Sequence, residues 1–241
     1  MCLLWAVLVK AMLIRIGIDL GTSAALGPIF PDGSFEYVPI PEWSPKSKES
    51  RTYRNTAGHL GKPYSVYLPR RLWNQRLHHD PDFEKCTYGE SSVKRVYLRR
   101  MEKGDIIAFY AGLRPFGVRD GKEGLYLVGY LVVERVLDFD SMSREEVRRA
   151  VRLHSCNAHV LAHDLRGLVV LVGSRCRILD RAVLISRVGR DRRGAPNFKV
   201  SREMEQLLGI SGSIQRSVPP KFITNPRGVR NLERLLGTQG T

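Results

Sequence analysis

The sequence predicts an α+β protein built on a curved, mostly antiparallel sheet or small β-barrel with peripheral helices. Two apolar runs carry this reading, Gly104 to Leu113 and Leu125 to Val136, both rich in β-branched and aromatic residues. The charged, glycine-containing stretch from Arg114 to Gly124 separates them, which makes them neighbouring strands and not one long buried helix. A third observation supplies the helices: Ser143 stands three residues before Glu146, the pattern of a capping box.

The remaining elements follow in chain order. The apolar run Cys2 to Val9 lacks a preceding basic segment and is too short to span a bilayer, so residues 1–12 are read as an N-terminal extension or an extra edge strand. A main domain over 13–200 follows, with 201–241 as a C-terminal helical and loop extension packed on it. Leu13 to Leu20 is a short strand ending at Gly21. The segment Gly17 to Ser23 resembles the phosphate hairpin of actin-like ATPases, but Pro28 and Pro31 interrupt the place where that fold needs a returning strand. In Ser34 to Glu42, alternation puts Phe35 and Tyr37 on one side, and Pro39 and Pro41 confine the segment to an edge. Residues 43–63 form a polar, basic loop, and Tyr64 to Leu68 is a short strand candidate. Val93 to Met101 reads as a helix, as does the capped segment from Ser143 to about Leu153. Leu168 to Gly173 has the continuous apolar character of a buried strand. A basic turn at 174–177 follows, and Ile178 to Ile185 resumes an apolar element. Two helices close the chain, Ser201 to Leu208 ended by Gly209, and Val229 to Leu236 ended by Gly237.

Composition narrows the function classes. Hydrophobic residues make up 43% of the 241, enough for a substantial core and against a disordered chain. The formal charge of +15 favours polyanions such as DNA. Arg51 and Arg54 in the long loop, and Arg175, Arg177, Arg192 and Arg193 further on, are candidates for nucleic-acid contact; a solvated basic surface is the alternative. Four cysteines, none in close pairs, do not make a disulfide scaffold or a structural zinc site, which fits a cytoplasmic, reducing setting. No membrane role is expected.

The densest group of reactive side chains is His78-His79-Asp80-Pro81-Asp82-Phe83-Glu84. Imidazole and carboxylate suit a divalent metal or acid–base work, but neighbours in an extended chain point opposite ways, so only alternate members can meet one ion. A second polar cluster, His154 to His159 with His163 and Asp164 beyond it, can complete the set only if the fold brings it near. His79, Asp80, Asp82 and His159 are the candidate catalytic residues, with a structural polar turn as the competing role. Cys156 lies between His154 and His159, but spacing alone does not make a nucleophile.

Several segments are familiar together: Gly27 to Glu42, His79 to Phe83 with Thr87-Tyr88-Gly89, Gly104 to Leu113, and Asn157-Ala158-His159. In that order, over most of 13–190, they resemble the third type of nucleotide-modification-associated domain. The resemblance implies a nucleic-acid setting, through genetic context in viral and bacterial modification systems, without an established reaction. The expected partners are DNA or another polyanion and components of a DNA modification system. The implied function is to recognise or process modified nucleotides or bases in DNA; the alternative is a metal-assisted or acid–base enzyme acting on a nucleotide or other small molecule. Asp19, Glu36, Tyr88, Asp105, Tyr110 and Asn157 are the pocket candidates. More distantly, the central strands are similar to barrel modules that read modified or flipped bases, for which Trp43, Tyr53, Trp73 and Tyr110 would supply aromatic walls.

Overall fold

The computed structural model describes residues 9–190, 193–194 and 196–238. Among them, eleven strands run in chain order: β1 (Ala11–Arg15), β2 (Gly27–Ile29), β3 (Ile40–Pro41), β4 (Leu77–His78), β5 (Thr87–Glu90), β6 (Ile106–Pro115), β7 (Gly124–Asp138), β8 (Val169–Leu184), β9 (Ser186–Arg190), β10 (Pro196–Val200) and β11 (Lys221–Ile223). Six helices accompany them: α1 (Leu20–Ser23), α2 (Arg95–Leu98), α3 (Arg144–Leu153), α4 (Ala158–Leu161), α5 (Arg202–Leu208) and α6 (Pro226–Leu236).

The main sheet has the order β11-β1-β6-β7-β8-β5, with β2 also paired to β6. β1 and β2 run parallel to β6, and the other pairings are antiparallel. Register shifts at Phe109/Tyr110 and at three points along β7 and β8 bend the long strands, because each bulge adds local twist. The result is a half-barrel with peripheral helices, the predicted α+β class.

The core lies against β6, where every residue from Ile106 to Leu113 is buried. Asp105 sets the start of this strand: its carboxylate accepts Lys10 N–H at 3.0 Å and Glu102 N–H at 2.7 Å, and pairs with Lys10 Nζ at 2.9 Å. The capping box forms as expected, with Ser143 Oγ accepting from Glu146 N–H and the Glu146 carboxylate accepting from Ser143 N–H. No helix among the described residues is long and apolar enough to cross a membrane.

Some local expectations are revised. Tyr64–Val66 is a 3-10 turn and not a strand, because Pro63 and Pro69 bracket a segment too short to pair. The basic stretch 174–177 is no turn; it lies inside the sixteen-residue β8, whose bulges absorb what looked like a break. β1 includes Met12 and Leu13, so it crosses the expected boundary between extension and main domain, and β11 pairs with it from the C-terminal segment. Cys86 and Cys176, ninety residues apart, are joined by a disulfide with Cα atoms 5.5 Å apart, tying the turn before β5 to β8. Cys156 is free and exposed, and Cys2 lies outside the described residues.

Candidate functional site

The site begins where a short strand ends in a tight turn. His78 ends β4, paired opposite Ile40 of β3, and the chain then turns through His79, with Asp80 N–H donating to His78 O at 2.9 Å. His78 and Asp80 line one cavity, and His79 lies outside it against Arg51. His79 Nδ1 lies 3.0 Å from the Arg51 guanidinium, and Arg51 is itself paired with Glu49. Burial and the adjacent Arg51 charge hold the His79 pKa below its usual value.

Asp82 closes the next turn. Its backbone pairs with Thr87 through both N–H···O bonds, and its carboxylate accepts the N–H groups of Glu84 and Lys85 at 2.9 Å. That turn starts β5 and brings Gly89 back beside Asp80, where Gly89 N–H lies 3.1 and 3.0 Å from the two carboxylate oxygens. Asn157, the N-cap of α4, accepts His159 N–H at 3.1 Å and sends its own amide toward Asp80 and Thr87, at 3.5 and 3.3 Å. Asp80 is thus held in place by a strand and a cap before any ligand is considered.

His159 Nε2 then lies 3.6 Å from Asp80, and the His78 and His159 rings meet edge to face at 4.7 Å. One ligand atom each from His78, Asp80 and His159 falls within 4.8 Å of the others. Behind both imidazoles stands a further carboxylate. His78 Nδ1 is 3.0 Å from Glu42, and His159 Nδ1 is 3.7 Å from Asp164. A carboxylate at hydrogen-bond distance, as Glu42 is, fixes the tautomer and raises the basicity of a metal-binding histidine; Asp164, which accepts from Ser91 Oγ at 2.6 Å, adds only its charge beside His159. Burial opposes a charge on His159, but the Asp80 hydrogen bond and neighbouring carboxylates outweigh it and raise its pKa. Burial likewise opposes ionised Glu42, yet hydrogen bonds from His78 and Ser44 N–H bring its pKa below the usual carboxylate value.

Gly89 is required by this packing. A Cβ there would come within 2.6 Å of His159 Cδ2, closer than real Cβ atoms approach.

The three residues line a cavity of about 260 Å³ whose other walls include Tyr88, Glu90 and three cations, Arg15, Lys94 and Arg216. Arg15 is buried between Glu123, at 3.2 Å, and Asp19, at 3.9 Å, and its Nε has no hydrogen-bond partner. Arg216 reaches in from the C-terminal segment to pair with Asp19 and the carbonyl of Gly17. Lys94 Nζ donates to Arg216 O at 2.7 Å, and burial together with the Arg216 and Arg15 charges lowers its pKa. The three cations bring positive charge to the lining, offset in part by Asp19 and Glu123, which pair with the two arginines, and by Glu90.

The other sequence candidates lie apart from this cluster. Glu36, fully buried, accepts the N–H groups of His59 and Leu60 at 3.0 and 3.1 Å and clamps the long loop. Asp105 starts β6, and Tyr110 OH donates to Ile214 O at 2.9 Å. Trp43 is 65% exposed, Tyr53 OH donates to Pro39 O, and Trp73 Nε1 donates to Leu68 O, so these aromatics do not form one pocket with Tyr110. Arg54, Arg175, Arg177 and Arg193 are exposed, with Arg177 paired to Asp180; Arg192 lies outside the described residues. The catalytic candidate set left out His78, and no local signal pointed to Glu42, Arg15, Lys94 or Arg216. Alternation along 78–82 narrowed the ligands to one of two phases, but could not choose between them.

No curated protein and no solved structure matches the chain, and the similarity to base-reading barrel modules rests on the strand pattern alone. A family model does match, over residues 10–209, a range that holds β1 to β10, α4 and the whole imidazole and carboxylate cluster. With that span and this cluster at its centre, the chain belongs to the family of nucleotide modification associated domain 3.

Proposed function

We propose that the protein is a divalent-metal-dependent enzyme that processes a nucleotide or a base in nucleic acid. The observation that carries this reading is the convergence of His78 and Asp80, from one segment, with His159 of α4 on one cavity. Two imidazoles and one carboxylate suit zinc or iron(II) and leave coordination positions open to water and substrate. Ligands about 2.1 Å from one ion stand closer together than these atoms do, so binding draws the cluster inward, chiefly by rotation of the two partly open imidazoles. A bound ion would polarise a substrate oxygen or activate water at this wall.

The chain's own groups supply the rest. Glu42 orients His78, Gly89 N–H and the Asn157 amide orient Asp80, and Lys94 with Arg216 supports a phosphate across the cavity. Family membership supports the nucleotide as substrate, and the +15 charge supports DNA or another polyanion as its source, in company with components of a modification system.

A second reading takes Asp80 and His159 as a metal-independent acid–base pair, favoured by their 3.6 Å separation. Calorimetric titration of the chelator-treated protein with iron(II), zinc and manganese separates the two. The metal reading expects about one ion per chain, with affinity lost by on the order of 100-fold in His78→Ala and in His159→Ala. Equal binding by the wild type and both variants would overturn it. Nucleotide turnover that survives chelation would instead support the acid–base pair.

A further inference from the structure

We infer that the surface built from Phe30, Tyr67 and Phe116 is a docking site for single-stranded nucleic acid, separate from the imidazole and carboxylate cavity. The three rings touch one another, with centroids 6.2 Å apart for Phe30 and Tyr67, 5.4 Å for Phe30 and Phe116, and 5.6 Å for Tyr67 and Phe116. Such a cluster usually sits in a core. Here it stands at the surface: Phe116 is 46% exposed, and Leu60 and Val118 beside it are 38% and 55% exposed. Contiguous exposed apolar surface of this kind marks a binding site more often than it marks chance.

The ridge has a groove on each side, and Tyr67 borders both. One, of about 440 Å³, runs between Tyr67 and the 114–119 segment; the other, of about 480 Å³, runs between Phe30, Leu60 and Tyr67. Both have the room of a small-molecule site, enough for a base. The backbone beneath is already ordered: Phe116 N–H donates to Ile29 O at 3.0 Å and Phe30 N–H to Ser34 O at 2.8 Å. Rings held by a paired strand end lose little entropy when a planar ligand stacks on them.

Charge chooses the occupant. Arg114 and Arg119 border the first groove, in whose walls there is no acidic residue among the described residues, and Lys62 borders the second. The one carboxylate in the second groove, Asp32, is occupied by the N–H and Oγ of its neighbour Ser34, at 3.0 and 2.7 Å. A protein interface is depleted of charge at its centre, whereas an aromatic platform rimmed by cations is the arrangement that stacks unpaired bases and holds their phosphates. Duplex DNA has its base faces covered and cannot use the ridge. The site is also distinct from the cavity. Among the described residues, none that lines either groove lines the cavity, although Leu26 of the first groove and Arg15 of the cavity both pack over Gly112.

Fluorescence anisotropy of the full chain with a labelled oligothymidylate of about 15 nucleotides tests the inference, with the matching duplex and polyglutamate as comparison probes. The single strand should bind more tightly than either comparison probe. Phe116→Ala should weaken it by roughly 5- to 30-fold, and Phe116→Trp should preserve it. The double variant Arg114→Gln/Arg119→Gln should flatten the salt dependence by about 1.4 in slope. Chelator treatment should leave this binding unchanged, so that failure at the ridge and failure of the metal site are read separately. The inference is overturned if Phe116→Ala, folded by its circular dichroism spectrum, binds as the wild type does. Equal binding of duplex or polyglutamate overturns it too, as does self-association that Phe116→Ala abolishes in a chain that binds no oligonucleotide.

Discussion

The central strands β6 and β7 and the segment from Phe35 to Glu90 fold by different means. The two strands are joined by a ladder over Ile106 to Leu113, interrupted by a single register shift at Phe109/Tyr110, and their side chains form much of the main core. In residues 35–90 regular structure is scarce, and buried polar groups tie distant segments together. Glu36 clamps His59 and Leu60, Arg76 donates to the carbonyls of Ser44 and Ser47, Tyr37 OH donates to Asp80 O, and Asp80 holds Gly89. A small apolar cluster, including Tyr53, Tyr64 and Leu77, fills the space between. The lesson is one of tolerance: an apolar ladder loses a methyl group at modest cost, while a buried polar clamp that loses one partner leaves others unpaired.

The largest effect should therefore come from Glu36→Ala. Two backbone N–H groups and His59 would lose their acceptor, and stability should fall by about 3 kcal/mol in denaturant titration. A loss no greater than that of a surface substitution would break the contrast. Gly89→Ala should come next. The new Cβ displaces the His159 ring, so affinity for the ion should drop by roughly 10- to 100-fold while the far-ultraviolet circular dichroism spectrum stays that of the wild type. Ile107→Val, in the fully buried middle of β6, should cost only about 1 kcal/mol and leave ion binding unaltered.

Acid should give the smallest and most local effect. Burial opposes ionised Glu49, but its ion pair and hydrogen bonds with Arg51 bring the folded pKa below the usual carboxylate value. Its stabilisation is therefore complete above an unfolded pKa of about 4.3, and disappears as pH falls through the depressed folded value. Hydrogen exchange should show amides in 51–77 losing protection in that window before those in 106–136. Glu49→Gln should remove the difference, and simultaneous loss of protection in both regions would show that the polar segment does not open separately.

The same contrast explains what could be read in advance. β6 and β7 were legible because apolar and β-branched content is a local property, and the Ser143 capping box because its partners stand three residues apart. The helix after Ser201 was legible for a similar reason, with Ser201 Oγ accepting Met204 N–H and Gly209 ending it in the left-handed region. β8 was read as two pieces, since arginines on an exposed face look like a turn when the partner strand is unknown. At the site, His78 to Asp82 stood out by composition and alternation limited the choice. Which members face the cavity depends on the pairing of Ile40 with His78 and on the tight turn through His79, and no local pattern encodes either.

By itself, then, the sequence determined the α+β class, the central strand pair, the capped helices and a short stretch rich in ligand-type side chains. These depend on periodicity and on groups a few residues apart, so the chain states them wherever it folds. Tertiary structure alone decided that His78 and not His79 joins Asp80, that His159 completes the cluster, and that Arg15, Lys94 and Arg216 face it. It also joined Cys86 to Cys176. The physical reason is shared: each of these contacts is set by strand phase and by the closing of long loops, and neither is written in the residues that make the contact.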